Sequence, residues 1–251
     1  MVIRPMTVSG DSKKWLARPR KKPHAAPPAP MYLLKRGKDA INERVASWLA
    51  QRYVIPHQIV RWTTADRFPE VAIRFETAAY RPDKIDAKTA TALTHGSSSF
   101  ILNPLDYYRH VALALFLDER DGEEFLITEW TLFRIDAAAT CEGAHLRWIE
   151  CLMGMPLRSN FVGTTLLFQD WVQELQAHHF SGYQAFLGTL QEMAQDTHLV
   201  EAVPQAFQAS PFGAEHDLVA CFQDYLQERQ QMLLRSLAVY DEGQAHEAAE
   251  H

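Results

Sequence analysis

Residues 31–52 read MYLLKRGKDAINERVASWLAQR, and the fold turns on how this stretch divides. MYLLK, 31–35, carries β-favouring Tyr32 and two leucines over a strand's length. DAINERVASWLAQR, 39–52, places Ile41, Val45, Trp48 and Leu49 on one helical face, with Asp39 as N-cap. A strand therefore runs directly into a helix packed by one stripe. Lys35 closes the strand and Glu43 lies near the helix start, so strand-on-helix packing would bring an ammonium and a carboxylate together. Seen alone, the same two residues also fit a pair of solvated surface charges.

Working outward, PRKKPHAAPPAP at 19–30 cannot sustain a helix or a central strand, because proline removes backbone donors and clashes with the preceding turn. It reads as a loop between SKKWLA, a short strand opening from a turn at Ser9 and Gly10, and MYLLK. After the helix, QIVRW and VAIRFE have strand character, with Pro56 and Pro69 as punctuation. The first 80 or so residues thus predict the order β, β, α, β, β.

From about residue 103 the pattern turns helical: NPLDYYRHVALALFLDE holds Tyr108, Val111, Ala112 and Leu115 in phase. DERDGEE interrupts it, followed by FLIT and TLFRID, two short strands able to form a hairpin. Beyond Gly143, helical segments return in WVQELQAHHF, YQAFLGTLQEMAQ and 216–240, where Leu218, Phe222, Tyr225, Leu226, Leu233 and Leu237 share one face. PFG at 211–213 separates the last two, no solenoid-length repeat is present, and the acidic, alanine-containing tail after Asp241 is expected to fray.

Composition limits the functional classes. The chain of 251 residues is 47% hydrophobic and 22% charged, enough for one substantial core or two small ones. Its longest apolar run, Val111–Leu117, falls far short of the roughly 20 residues of a membrane-spanning helix, and MVIRPMTVSGDSKK lacks the pattern of a secretory signal. The expected compartment is the cytoplasm, with no membrane contact. Cys141, Cys151 and Cys221 lack metal-type spacing and read as buried thiols, while His178 and His179 read as helix-surface residues. A net charge of -6 opposes bulk nucleic-acid binding. The local exception is Arg4, Lys13, Lys14, Arg18, Arg20, Lys21 and Lys22, either a phosphate-meeting cluster or a solvated loop.

Two aspartates carry the remaining chemistry. Asp118 stands where the apolar helix runs out, at the mouth of a loop, where a carboxylate can orient a hydroxyl and accept its proton. Asp136 follows the strand LFRI, a position that fixes a carboxylate for magnesium, which takes one or two carboxylates plus phosphate oxygens and water. Each alone also fits an ordinary loop or strand-end aspartate.

In this order the segments resemble the HipA-like kinase family, particularly its short forms. SGDSKKWLA looks like a glycine-containing phosphate loop and strand, MYLLK like the lysine strand, and INERVASWLAQRYVIP like the glutamate helix. HGSSSFI looks like the glycine-serine segment, and ALFLDERDGEEFLI with LFRIDAA like the catalytic loop and metal-binding strand; VPQAF and LQERQQMLLRSL resemble the closing helices. The resemblance implies an α+β, bilobal protein-kinase-like fold, with a small β-rich N-lobe over 1–94 and a mainly helical C-lobe over 95–251.

By the same resemblance, the activity is ATP-dependent phosphoryl transfer to a serine or threonine hydroxyl of a protein, with ATP and Mg2+ as cofactors. Ser9, Gly10, Ser12 and Lys13 would cradle phosphates; Lys35, held by Glu43, would touch the α and β phosphates; Asp118 would be the catalytic aspartate and Asp136 the principal metal ligand. Where the family has asparagine, five residues after the catalytic aspartate, this chain has Glu123, with Asp121 and Glu124 as other alignments. A carboxylate there binds magnesium but adds charge beside a triphosphate. The expected partners are a nucleotide and a protein, either as substrate or, if the chain is a pseudokinase-type binding or regulatory module without turnover, as docking partner.

Overall fold

The computed structural model describes residues 2–6, 14–18, 31–65, 68–75, 105–119, 124–128, 131–135, 137–153, 176–177, 180–210 and 216–249. The chain forms two compact units. The first comprises Met1–Pro104, Glu119–Thr140 and Pro204–Glu215, and the second Leu105–Asp118, Cys141–Val203 and His216–His251.

The first unit is built on an antiparallel sheet of β1 (Val2–Met6), β2 (Lys14–Arg18), β3 (Met31–Arg36), β4 (Val60–Ala65) and β5 (Phe68–Phe75), in the order β1-β2-β3-β5-β4. The sequence reading lacks β1, because Pro5 lies inside VIRPM. As the edge strand, β1 tolerates a residue that donates no ladder bond. Pro69, expected as punctuation, instead lies within β5. It sits opposite Thr64 of β4 and past the end of β3, whose pairing stops at Arg36 opposite Glu70.

The helix α1 (Gly37–Arg52) leaves β3 without an intervening loop. Gly37, at φ +64, supplies the left-handed turn that permits this, and a Cβ there would meet nothing. The N-cap is therefore Arg36, with no side-chain cap bond, and the expected cap Asp39 lies in the first turn. Nor is α1 packed by a single stripe. Small residues (Ala40, Ala46, Ser47, Ala50) alternate with large ones, so it is buried on nearly every side. Ala40 packs with Val60, Leu33 and Trp62 on the sheet side. Ser47 binds it to the approach to β4: its Oγ donates to Gln58 O at 2.9 Å and accepts from Val60 N at 3.3 Å.

At its C-terminus, Ile55 N donates to Ala50 O at 2.8 Å and Val54 N to Gln51 O at 3.3 Å, a Schellman closure with Val54 at φ 53. Two further pieces complete the described part of this unit. β6 (Glu124–Thr128) and β7 (Thr131–Ile135) pair as an antiparallel hairpin with Thr128 opposite Thr131, followed by a 3-10 turn, Ala137–Ala139, that packs on α1. Trp62 Nε1 donates to Ala206 O at 2.8 Å, and its ring lies 6.4 Å from that of Phe207, fixing the 3-10 segment Val203–Phe207 to β4.

The second unit is helical: α2 (Asp106–Phe116), α3 (Glu142–Leu152), α4 (Phe180–Gln195), α5 (Leu199–Ala202) and α6 (His216–Ala249). The apolar face expected on α6, from Leu218 to Leu237, is its buried face. Its backbone stays helical to Ala249 rather than fraying at Asp241, since alanine, glutamate and glutamine are good helix formers. Where α2 meets α4, Tyr108 lies against Gly182, and an added Cβ would come within 2.3 Å of the ring.

A recurrent feature of α6 is donation to carbonyls of other helices. Gln230 Nε2 reaches Met193 O at 2.8 Å and Asp196 O at 3.0 Å, and Gln223 Nε2 reaches Val200 O at 3.0 Å. Met193 O is among the carbonyls that the C-terminus of α4 leaves without an internal partner, whereas Asp196 O and Val200 O also accept from the Leu199 and Val203 amides. Cys141 and Cys221 are buried thiols, as expected. No described helix is long and apolar enough to cross a membrane. WVQELQAHHF, with His178 and His179, lies almost entirely outside the described residues.

Candidate functional site

In the first unit Lys35 and Glu43 meet. The direct passage from β3 into α1 places the last strand positions against the second helical turn, and Lys35 Nζ donates to Glu43 Oε1. Each residue is 1% exposed. Two ions so far from water belong together, since removing one partner of a buried pair costs far more than at a surface. Arg44, next on α1, was not singled out by sequence. Burial lowers its pKa, and its Nη1 is buried without a hydrogen-bond partner.

The 3-10 turn immediately after Asp136 packs on the helix that carries Glu43. Ala137 is fully buried and its carbonyl accepts the Thr140 hydroxyl at 2.7 Å. Asp136 itself, Glu123, Ser9, Gly10, Ser12 and Lys13 lie outside the described residues.

Asp118 belongs to the second unit. It follows the C-cap Leu117, is half-buried, and adopts the left-handed region at φ 55, with its N–H donating to Leu115 O at 3.2 Å. Aspartate is among the few non-glycine residues that take this conformation without large cost. The carbonyls just before it are held from α6. Arg229 donates Nε to Phe116 O at 2.8 Å and Nη2 to Leu115 O, while Tyr225 Oη donates to Leu117 O at 3.0 Å. Leu117 O also accepts from Cys141 N at 2.9 Å, where Cys141 is itself left-handed at φ 55.

Sequence reasoning placed Tyr225 on a helical face and gave Arg229 no role. Their partners lie 108 and 113 positions away, and the only local signal was their separation of four on one helix.

Of the residues described, the Lys35–Glu43 pair is the one whose chemistry suits a nucleotide phosphate. Lys35 Nζ donates to the Glu43 carboxylate, the orientation in which a lysine can be held for a phosphate. Among the described residues no three His, Cys, Asp or Glu side chains converge as a metal cage. Magnesium needs no such cage, taking one or two carboxylates and completing its shell with phosphate oxygens and water.

No protein-family model and no curated protein sequence matches the chain. Solved structures do. The proinflammatory kinase CtkA of Helicobacter pylori superposes with a TM-score of 0.57 at 12% identity, over 94% of this chain and 96% of that one. HipA of Shewanella oneidensis MR-1, solved with HipB and operator DNA, gives a TM-score of 0.49 at 11% identity, over 94% of this chain and 67% of that one. The likeness to the Helicobacter kinase shows that the chain has a kinase-like fold.

Proposed function

We propose that the protein is a HipA-like kinase that transfers the γ-phosphoryl group of ATP to a serine or threonine hydroxyl of a protein. The observation that carries this reading is the sealed Lys35–Glu43 pair at the junction of β3 and α1, in a chain with a kinase-like fold. A buried ion pair is weak evidence for stability, because apolar residues of similar volume often serve the fold as well or better. An ammonium kept charged and aimed by a carboxylate is useful where nucleotide phosphates must be held.

The roles assigned under this reading are as follows. Lys35 contacts the nucleotide's α and β phosphates and Glu43 orients it. Ser9, Gly10, Ser12 and Lys13 bind phosphate through amides, hydroxyls and charge, and Asp136 with Glu123 holds Mg2+. When bound, the cation neutralises charge on the phosphates. Asp118 accepts the proton of the acceptor hydroxyl. The lobe division at residues 94 and 95, cytoplasmic placement and a protein partner belong to the same proposal.

A second reading, a pseudokinase-type binding or regulatory module, is favoured by two observations. Glu123 stands where the family has asparagine, and Lys35 at 1% exposure reaches a phosphate only after the chain around it moves.

Magnesium-dependent ATP consumption by the full chain decides between them. The kinase reading expects turnover that disappears in Asp118→Ala and in Asp136→Ala while both variants keep the wild-type melting transition. Turnover that persists in either variant overturns the assignment of that residue. A wild type that consumes no ATP, yet melts higher with Mg·ATP present, supports the second reading, because only a ligand of the native state raises its stability.

A further inference from the structure

We infer that Tyr225 and Arg229 are positioning residues for Asp118: from α6 they fix the backbone out of which its carboxylate projects. The inference rests on the proposed role of Asp118 and assigns that site a support which neither the fold nor the motif order specifies.

A helix ends with carbonyls that have no internal partner, and in most helices water, a glycine turn or a local side chain takes them. At the end of α2 each of the three carbonyls before Asp118 has a partner distant in sequence, Leu115 O in addition to the Asp118 amide. Leu115 O and Phe116 O receive the two arms of one guanidinium, and Leu117 O receives a phenol and the Cys141 amide. Arg229 is 4% exposed and Tyr225 is fully buried, so water does not substitute freely for either.

Burying a guanidinium is costly, and satisfying three carbonyls does not by itself require one. What a planar fork adds is direction: two parallel N–H groups fix the orientation of the peptide planes as well as their distance. Its charge also faces the negative end of the α2 dipole. Asp118 then follows with φ in the left-handed region, so the side chain is aimed by a backbone turn that relaxation of the carbonyls beneath it would release. A general base displaced by about 1 Å loses on the order of 100-fold in rate with little loss of substrate binding.

The test uses the full chain as wild type, Tyr225→Phe, Arg229→Lys and Arg229→Gln, with Mg·ATP as probe. Three quantities are read: kcat and KM for ATP, the rise in melting temperature on adding Mg·ATP, and hydrogen exchange of the amides at 115–119. The expected result is faster exchange at 115–119 in all three variants, with KM and the Mg·ATP-induced rise unchanged. Arg229→Gln is expected to lose about 100-fold in kcat. Arg229→Lys falls between it and wild type, since an ammonium keeps the charge without the fork.

Unchanged exchange at 115–119, or unchanged kcat despite faster exchange, overturns the inference. So does complete restoration by lysine, which would reduce the role of Arg229 to its charge. If Arg229→Gln does not fold, Tyr225→Phe, which removes one hydroxyl and keeps the ring, carries the same criteria. A wild type without turnover is a distinct result: it removes the kinase reading itself, and this inference with it.

Discussion

Two ion pairs of similar chemistry, one in each unit, stand in opposite surroundings. Lys35 and Glu43 are both closed to water, whereas the buried Arg147 on α3 meets Glu228 on α6, whose side chain is 39% exposed. The first pair has no solvent to take over from a missing partner; the second has solvent at its carboxylate. Burial of the whole pair, more than the contact within it, therefore sets what each is worth. The second unit also turns the buried Tyr225 and Arg229, with the half-buried Gln230, to backbone carbonyls.

The largest effect is expected at the sealed pair. Glu43→Ala leaves the Lys35 ammonium buried without its carboxylate and is expected to destabilise the protein by about 3–5 kcal/mol in denaturant unfolding. The double variant Lys35→Met with Glu43→Leu, similar in volume and free of charge, is expected to unfold at or above the wild-type midpoint while losing ATP turnover. A single-variant loss below about 1 kcal/mol, the range of exposed pairs, would mean that water reaches the pair in solution, and the contrast drawn here would collapse.

At the half-exposed pair, Glu228→Ala is expected to cost about 0.2–1 kcal/mol. Arg147 keeps its charge, and water takes the place of the carboxylate where Glu228 now meets solvent. Raised salt is expected to shrink the difference between variant and wild type, because the carboxylate side of this pair is open to screening. The same salt series on Glu43→Ala is expected to leave its difference nearly constant.

The contrast between the pairs was half legible in the sequence. Lys35 and Glu43 could be matched because eight positions across a strand-to-helix junction bring two side chains together in few ways. The burial of that pair could not be read, since it depends on α1 being covered on more than one side, and the apolar pattern of 39–52 shows only one stripe. The hairpin at 124–135 was visible from two short β-favouring runs, whereas β1 was hidden by Pro5, whose tolerance depends on its edge position. The sheet order, with β5 between β3 and β4, is a tertiary fact that no local pattern encodes. The hold of Arg229 on the end of α2 joins residues more than a hundred positions apart, so α6 disclosed its apolar face but not the polar groups that aim Asp118.

A third pair completes the gradient and carries the smallest expected effect. Asp106, in the first turn of α2, is 6% exposed and meets Arg109 at 3.6 Å. Burial pushes the Asp106 carboxyl above the ordinary aspartate value of 3.8, and Arg109 only partly opposes this. A folded-state pKa above the unfolded one means that the native state holds the proton more tightly. The stabilising contribution is therefore complete below about pH 3.8 and is lost as pH rises through the folded-state value. At neutral pH the ionised carboxylate is a mild burden on the fold. Asp106→Asn, which keeps the shape and removes the charge, is expected to be equal to or slightly more stable than wild type at pH 7, and to lose that advantage as pH falls toward 4. Unfolding free energies of the two proteins between pH 4 and 7 provide the measurement. An advantage for wild type that grows with pH would show that Arg109 outweighs burial, and would place Asp106 with the well-compensated carboxylates.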